Sequence, residues 1–150
     1  MIITICSSID FTPKILEIKE KLELKGHKVN IPFFSEKIFK KEISFEDFLK
    51  SKEENKGDTL LRQSQDINLT KRHLNLILKS DAILVLNLEK KGYDNYIGGN
   101  TLIEMGFAFG NDKKIFLYNS IPEKSEVIHY TDEIIDMNPI VINKNLELID

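Results

Sequence analysis

The chain has 150 residues, 41% hydrophobic and 30% charged, which suits one folded domain with its own core and excludes wholesale disorder. Its 21 basic and 24 acidic residues leave a formal net charge of −3, so charge makes no case for a nucleic-acid partner. A lone cysteine, Cys6, excludes intrachain disulfides and multi-cysteine zinc modules, and no apolar run approaches the roughly 18 residues of a membrane span. The opening MIITICSSID lacks a basic start and a long apolar stretch, so a cytoplasmic, non-membrane protein is expected.

In chain order, the first apolar run, IITIC from Ile2 to Cys6, does not alternate, which suits a strand buried on both faces. Phe11, Ile15, Ile18 and Leu22 then recur at helical spacing. Thr12 before Pro13 reads as an N-cap with a first-turn proline, Gly26 as a C-terminal cap, and Glu17 with Lys21 as a pair on the wet face. Residues 29–34, VNIPFF, are a second strand candidate, with Pro32 marking a strand end or an edge.

Residues 35–65 are rich in Lys and Glu, with Phe39, Ile43, Phe45, Phe48 and Leu49 interspersed. One or two short helices are expected there, Ser44 and Asp47 giving a capping signal, with a mobile connection around residues 52–58. So long an excursion fits a lid or binding loop, a dimer surface or a tolerated insertion. A helix ending near Lys79 follows, with Ile67, Leu74, Ile77 and Leu78 on its apolar side. Residues 82–86 (AILVL) read as a buried strand, and residues 100–110 as a helix apolar nearly all round, packed deeply. Gly106 and Ala108 are expected to bring it close to the sheet. Strands at residues 115–118 (IFLY) and 140–142 (IVI) close the chain.

This alternation predicts a single domain over residues 1–150 with a doubly wound, Rossmann- or flavodoxin-like α/β fold. Its five-stranded sheet is expected to be mostly parallel and flanked by helices. Ligands of such folds bind beyond the carboxyl ends of the strands, here the loops at residues 7–12, 87–101 and 119–130.

Several chemistries are withheld. No glycine-rich dinucleotide fingerprint follows the first strand, and no phosphate-binding P-loop, H-E-x-x-H or G-x-S-x-G is present. His27, His73 and His129 are scattered, so no metal and no cofactor is expected. Cys6 reads as a small buried hydrophobe, since nothing in the sequence names a basic partner for a thiolate. Ser7 and Ser8 at the strand end either receive an anion or cap their own loop.

The informative segment is YDNYIGGNTLIEMGFAFG, residues 93–110. Gly98 and Gly99 allow a backbone to approach a ligand, and Asn100 and Thr101 open a helix whose amides attract anions or sugar hydroxyls. Glu104, in the first turn of an apolar helix, reads either as a nucleophile or general base facing a cleft, or as the acid of a Thr101–Glu104 capping box.

The segments ICSSID, SDAILVLN and GGNTLIEMGFAFG together resemble the nucleoside 2-deoxyribosyltransferase-like superfamily, whose signature carries E-x-G-x-A after a buried strand. The segment IGGNTLIEMGFA also resembles an uncharacterised subgroup of it. The resemblance implies that Glu104 is the nucleophile that cleaves an N-glycosidic bond, with transfer to a second base or to water. It implies a nucleoside or nucleotide held by Ser7, Ser8, Asn87, Gly98, Gly99, Asn100 and Thr101. The family's two aspartates fall at Gly98 and, eight residues before Asp81, at His73. That leaves His73 and Asp94 as acid or base, and implies as the alternative an inactive nucleotide-binding module. Assembly as a homodimer or larger, with residues 130–138 completing a neighbour's site, is also implied.

Overall fold

The computed structural model describes residues 1–54 and 68–150. Five strands, β1 (Ile2–Cys6), β2 (Lys28–Asn30), β3 (Ala82–Val85), β4 (Lys114–Leu117) and β5 (Ile140–Val141), pair in the order β2-β1-β3-β4-β5. Helices α1 (Thr12–Leu24), α2 (Phe33–Phe39), α3 (Phe45–Glu54), α4 (Leu69–Leu78), α5 (Gly99–Gly110) and α6 (Thr131–Asp136) flank the sheet. Every pairing is parallel, not merely most of them. The reason is α6, absent from the sequence reading, which stands between β4 and β5 and returns the chain to the sheet in the same direction. The result is a doubly wound, Rossmann-like α/β fold.

The two faces of the sheet follow from strand parity. On β1, Ile3 and Ile5 join Ile15, Ile18 and Leu22 of α1 in one core layer. Cys6 points the other way, into a layer with Ile77 of α4, Met105 and Ala108 of α5, and Ile134 of α6. Each fully buried Ile or Leu stabilises the fold by about 1.5–3 kcal/mol.

Several local expectations shift. The helix after β1 begins one residue early, at Thr12, so its N-cap is Phe11. The Thr12 hydroxyl donates to the Ile9 carbonyl and pairs with Ser35 Oγ at 2.8 Å. Gly26 does follow the helix end, at φ +87°. Phe33 and Phe34 belong to α2, not to a strand: Pro32 caps that helix, so β2 stops at Asn30. On α4, Leu78 is 47% exposed, and His73 takes the buried position one turn before Ile77. Ile67 and part of the 52–58 connection lie outside the described residues. Helix α5 is not packed all round, since Ile103 (56%) and Phe109 (52%) are exposed. Gly106 faces open space, and Ala108 alone of that pair is buried. No described helix is long and apolar enough to cross a membrane.

Candidate functional site

From β1 the chain moves to one sheet edge, at β2, then crosses back to β3 on the other side of β1. This reversal opens a crevice beyond the carboxyl ends of β1 and β3, where doubly wound folds place their ligands. Register sets Cys6 beside Val85 at that end. Helix α5 starts at Gly99, earlier than expected, so Glu104 falls in its second turn and Thr101 is not its cap residue. Gly98 occupies the N-cap without a side-chain bond. The capping-box geometry is therefore absent, and the Glu104 carboxylate lines the crevice.

Three chemically distinct groups meet beneath it. Cys6 Sγ lies 3.7 Å from His73 Nε2, and His73 Nε2 lies 3.7 Å from Glu104 Oε1. Cys6 is fully buried, and the side chains of His73 and Glu104 are 9% and 17% exposed. Burial pushes the Glu104 carboxyl up to about 7, against a hydrogen bond from the Cys6 thiol that favours the ionised form. Burial, aided by the positive charge of Arg72, holds His73 down at about 4 despite a backbone hydrogen bond with Ile5. Burial also raises the Cys6 thiol, and the Glu104 charge raises it further. Near pH 7 the cluster therefore holds a thiol, a neutral imidazole and a carboxyl poised between its two forms, so the His73–Glu104 contact is not an ion pair.

Above the cluster is a cavity of about 590 Å³, within the range of small-molecule sites. One wall is apolar, from Ile9, Pro32, Phe33, Phe34 and Phe48. Another carries the Ser7–Ser8 loop and the start of α5. Lys52, Arg72 and Lys90 add positive charge. A tight turn, with Gly92 at φ +81° and a Lys90–Tyr93 bridge, folds Lys90 back so that it donates to Ser8 Oγ at 2.8 Å. Asp10 bridges Lys90 and Lys52 at 2.7 and 2.6 Å. Burial pushes the Asp10 carboxyl up, but the hydrogen bonds from Lys52 and Lys90 outweigh it and hold it below the ordinary range.

The residues singled out by sequence divide clearly. Ser7, Ser8, His73, Gly98, Gly99, Asn100, Thr101 and Glu104 line this cavity together. Both serine hydroxyls are taken up by neighbouring loops, Ser7 Oγ donating to the Leu86 carbonyl and Ser8 Oγ accepting from Lys90. A Cβ at Gly99 would meet nothing, and one at Gly98 would meet the Tyr96 ring at 3.4 Å, so neither glycine is demanded by backbone strain. Asn87 stands apart. It is buried and clips two loops together, accepting from the Asn119 amide at 2.8 Å and donating to the Ser120 carbonyl at 2.8 Å. Asp94 lines a second hollow, with Lys14, Tyr118 and Lys144, away from Glu104.

Sequence reasoning missed Cys6, Lys90, Arg72 and the phenylalanine wall. The available signal was parity: Thr4 and Cys6 alternate with Ile3 and Ile5, so Cys6 faces the helices that carry His73 and Glu104. Phe48 is buried against Phe34, ring centroids 5.1 Å apart, so it serves this wall and not an outer surface. The 130–138 region docks on its own chain, Tyr130 donating to the Ile97 carbonyl while Thr131 and Ile134 are buried. The chain matches no protein-family model, no curated protein and no solved structure.

Proposed function

We propose that the cavity binds a nucleotide, and that Glu104 cleaves its N-glycosidic bond. The observation that carries this reading is the Glu104 carboxylate itself, largely withdrawn from water at the switch point and facing a cavity of small-molecule size. In the proposed step a Glu104 oxygen bonds to the anomeric carbon and the bond to the base nitrogen breaks. The base leaves with the electron pair and takes up a proton. Water or a second base then displaces Glu104 from the glycosyl ester, as in retaining glycoside chemistry. The ionised carboxylate is the nucleophile, so activity falls as pH drops below about 7.

Lys52 and Lys90 share Asp10, and Arg72 pairs with Glu36 at 2.7 Å, which leaves one positive charge in excess to favour an anionic ligand over a neutral nucleoside, and the phenylalanine wall offers an apolar surface to a base. A second reading, a nucleotide-binding module without turnover, is favoured by one observation: among the described residues Glu104 is the one carboxylate lining the cavity. Self-association belongs to the same proposal, and light scattering at assay concentration reads it, a monomer removing it.

The test is chromatography for released base across a panel of deoxynucleosides and their monophosphates. Release that Glu104→Gln abolishes supports the enzyme. Nucleotide-dependent thermal stabilisation with no release supports the binding module. The absence of both responses removes both readings.

A further inference from the structure

We propose that Cys6, His73 and Glu104 form a three-ligand site for a zinc-class divalent ion, its fourth position open to the cavity. The donor set itself suits such an ion. Thiolate, imidazole and carboxylate are the three protein ligand types of zinc, and catalytic zinc sites use three ligands and leave one position for water. Geometry agrees. Zinc bonds of about 2.3 Å to sulfur and about 2.0–2.1 Å to nitrogen and oxygen, at tetrahedral angles, set ligand atoms about 3.4–3.6 Å apart. The observed Sγ–Nε2 and Nε2–Oε1 separations are both 3.7 Å, and all three donor atoms lie within 4.8 Å of one another.

The three ligands come from three elements, β1, α4 and α5, each fixed in the core beside an apolar neighbour such as Ile77 or Met105. The site is thus preformed. Access is from the cavity, which His73 and Glu104 line and Cys6 underlies. His73 also keeps a backbone hydrogen bond with Ile5, a second partner of the kind that orients ligating imidazoles. Binding displaces the thiol proton of Cys6, and the Glu104 proton where that is present.

The site stands on its own donors and does not rest on the glycosidic reading. If that reading holds, the ion and the sugar compete for the same Glu104 oxygen, so occupancy withholds the nucleophile.

The experiment is titration of chelator-stripped, reduced protein with cobalt(II), read by absorbance, with no nucleotide present. One cobalt per chain is expected, with strong tetrahedral bands and a thiolate-to-cobalt charge-transfer band. Cys6→Ser should abolish the charge-transfer band, and His73→Gln and Glu104→Gln should each weaken binding by at least about tenfold. His27→Ala is the control for the other nitrogen pair, since His27 Nδ1 lies 3.2 Å from the N-terminal amine. Circular dichroism checks that each variant folds. No binding, binding without the charge-transfer band, or binding that only His27→Ala weakens would overturn the site. None of these outcomes bears on base release, so the two proposals fail separately.

Discussion

The two faces of β1 are built to different ends. On the α1 face Ile3 and Ile5 meet Ile15, Ile18 and Leu22, each at most 1% exposed, in a layer of purely apolar contacts. On the opposite face Thr4 pairs with Ser80 at 2.7 Å, and Cys6 meets His73 and, through it, Glu104. The first layer stabilises the fold. The second buries ionisable groups whose charged forms the interior disfavours, which opposes folding and marks this face as the candidate site for chemistry or binding.

The largest expected effect lies on the polar face. Glu104→Ala should lower the proposed base release by several orders of magnitude, as loss of a covalent nucleophile does. Stability should respond most on the other face, where Leu22→Ala should cost about 2–5 kcal/mol in denaturant unfolding with base release per folded molecule unchanged. A small loss there would mean that the α1 layer is not the stabilising one.

Glu104→Gln should have the opposite sign on stability. Raising a carboxyl from its ordinary 4.5 to about 7 works against the ionised form, so in metal-stripped protein the substitution should stabilise by about 1–3 kcal/mol at pH 8. The gain should disappear below pH 4.5, where both folded and unfolded chains carry the proton. His73, held at about 4 against an ordinary 6.5, loses stability as pH falls through that interval. Glu104 loses it as pH rises from 4.5 to 7. Between pH 4.5 and 6.5 the folded pair holds one proton on Glu104, and the unfolded pair holds one on His73, so the pair's contribution is flat. Glu104→Gln should expose the acid-side slope and His73→Asn the alkaline-side slope. Parallel pH profiles for wild type and both variants would separate the two groups electrostatically.

A smaller effect is expected at the cavity mouth. Lys90→Ala should weaken binding of a nucleoside monophosphate about tenfold, and binding of the nucleoside scarcely at all, measured by thermal shift. Asp94→Asn, in the other hollow, should change neither.

The architecture was legible because four unbroken apolar runs and one clear amphipathic helix leave little choice but a parallel sheet under helices. The errors came where local pattern and tertiary packing compete. Pro32 turns the chain into α2 instead of prolonging a strand, and the apolar composition of α5 hides an open side at Ile103 and Phe109. Half of the site was readable as one contiguous segment, Gly98 to Glu104. The remainder joins residues 67 apart, Cys6 and His73, which no local signal connects. Asn87 sat in the right loop but turns its amide to Asn119, because the loops after β3 and β4 need their backbone groups paired.

The most direct measurement is the mass of acid-quenched protein after mixing with a nucleotide that releases its base. The account predicts a glycosyl adduct on the peptide containing Glu104, absent in Glu104→Gln. Base release that survives in Glu104→Gln, or an adduct on another residue, would contradict it.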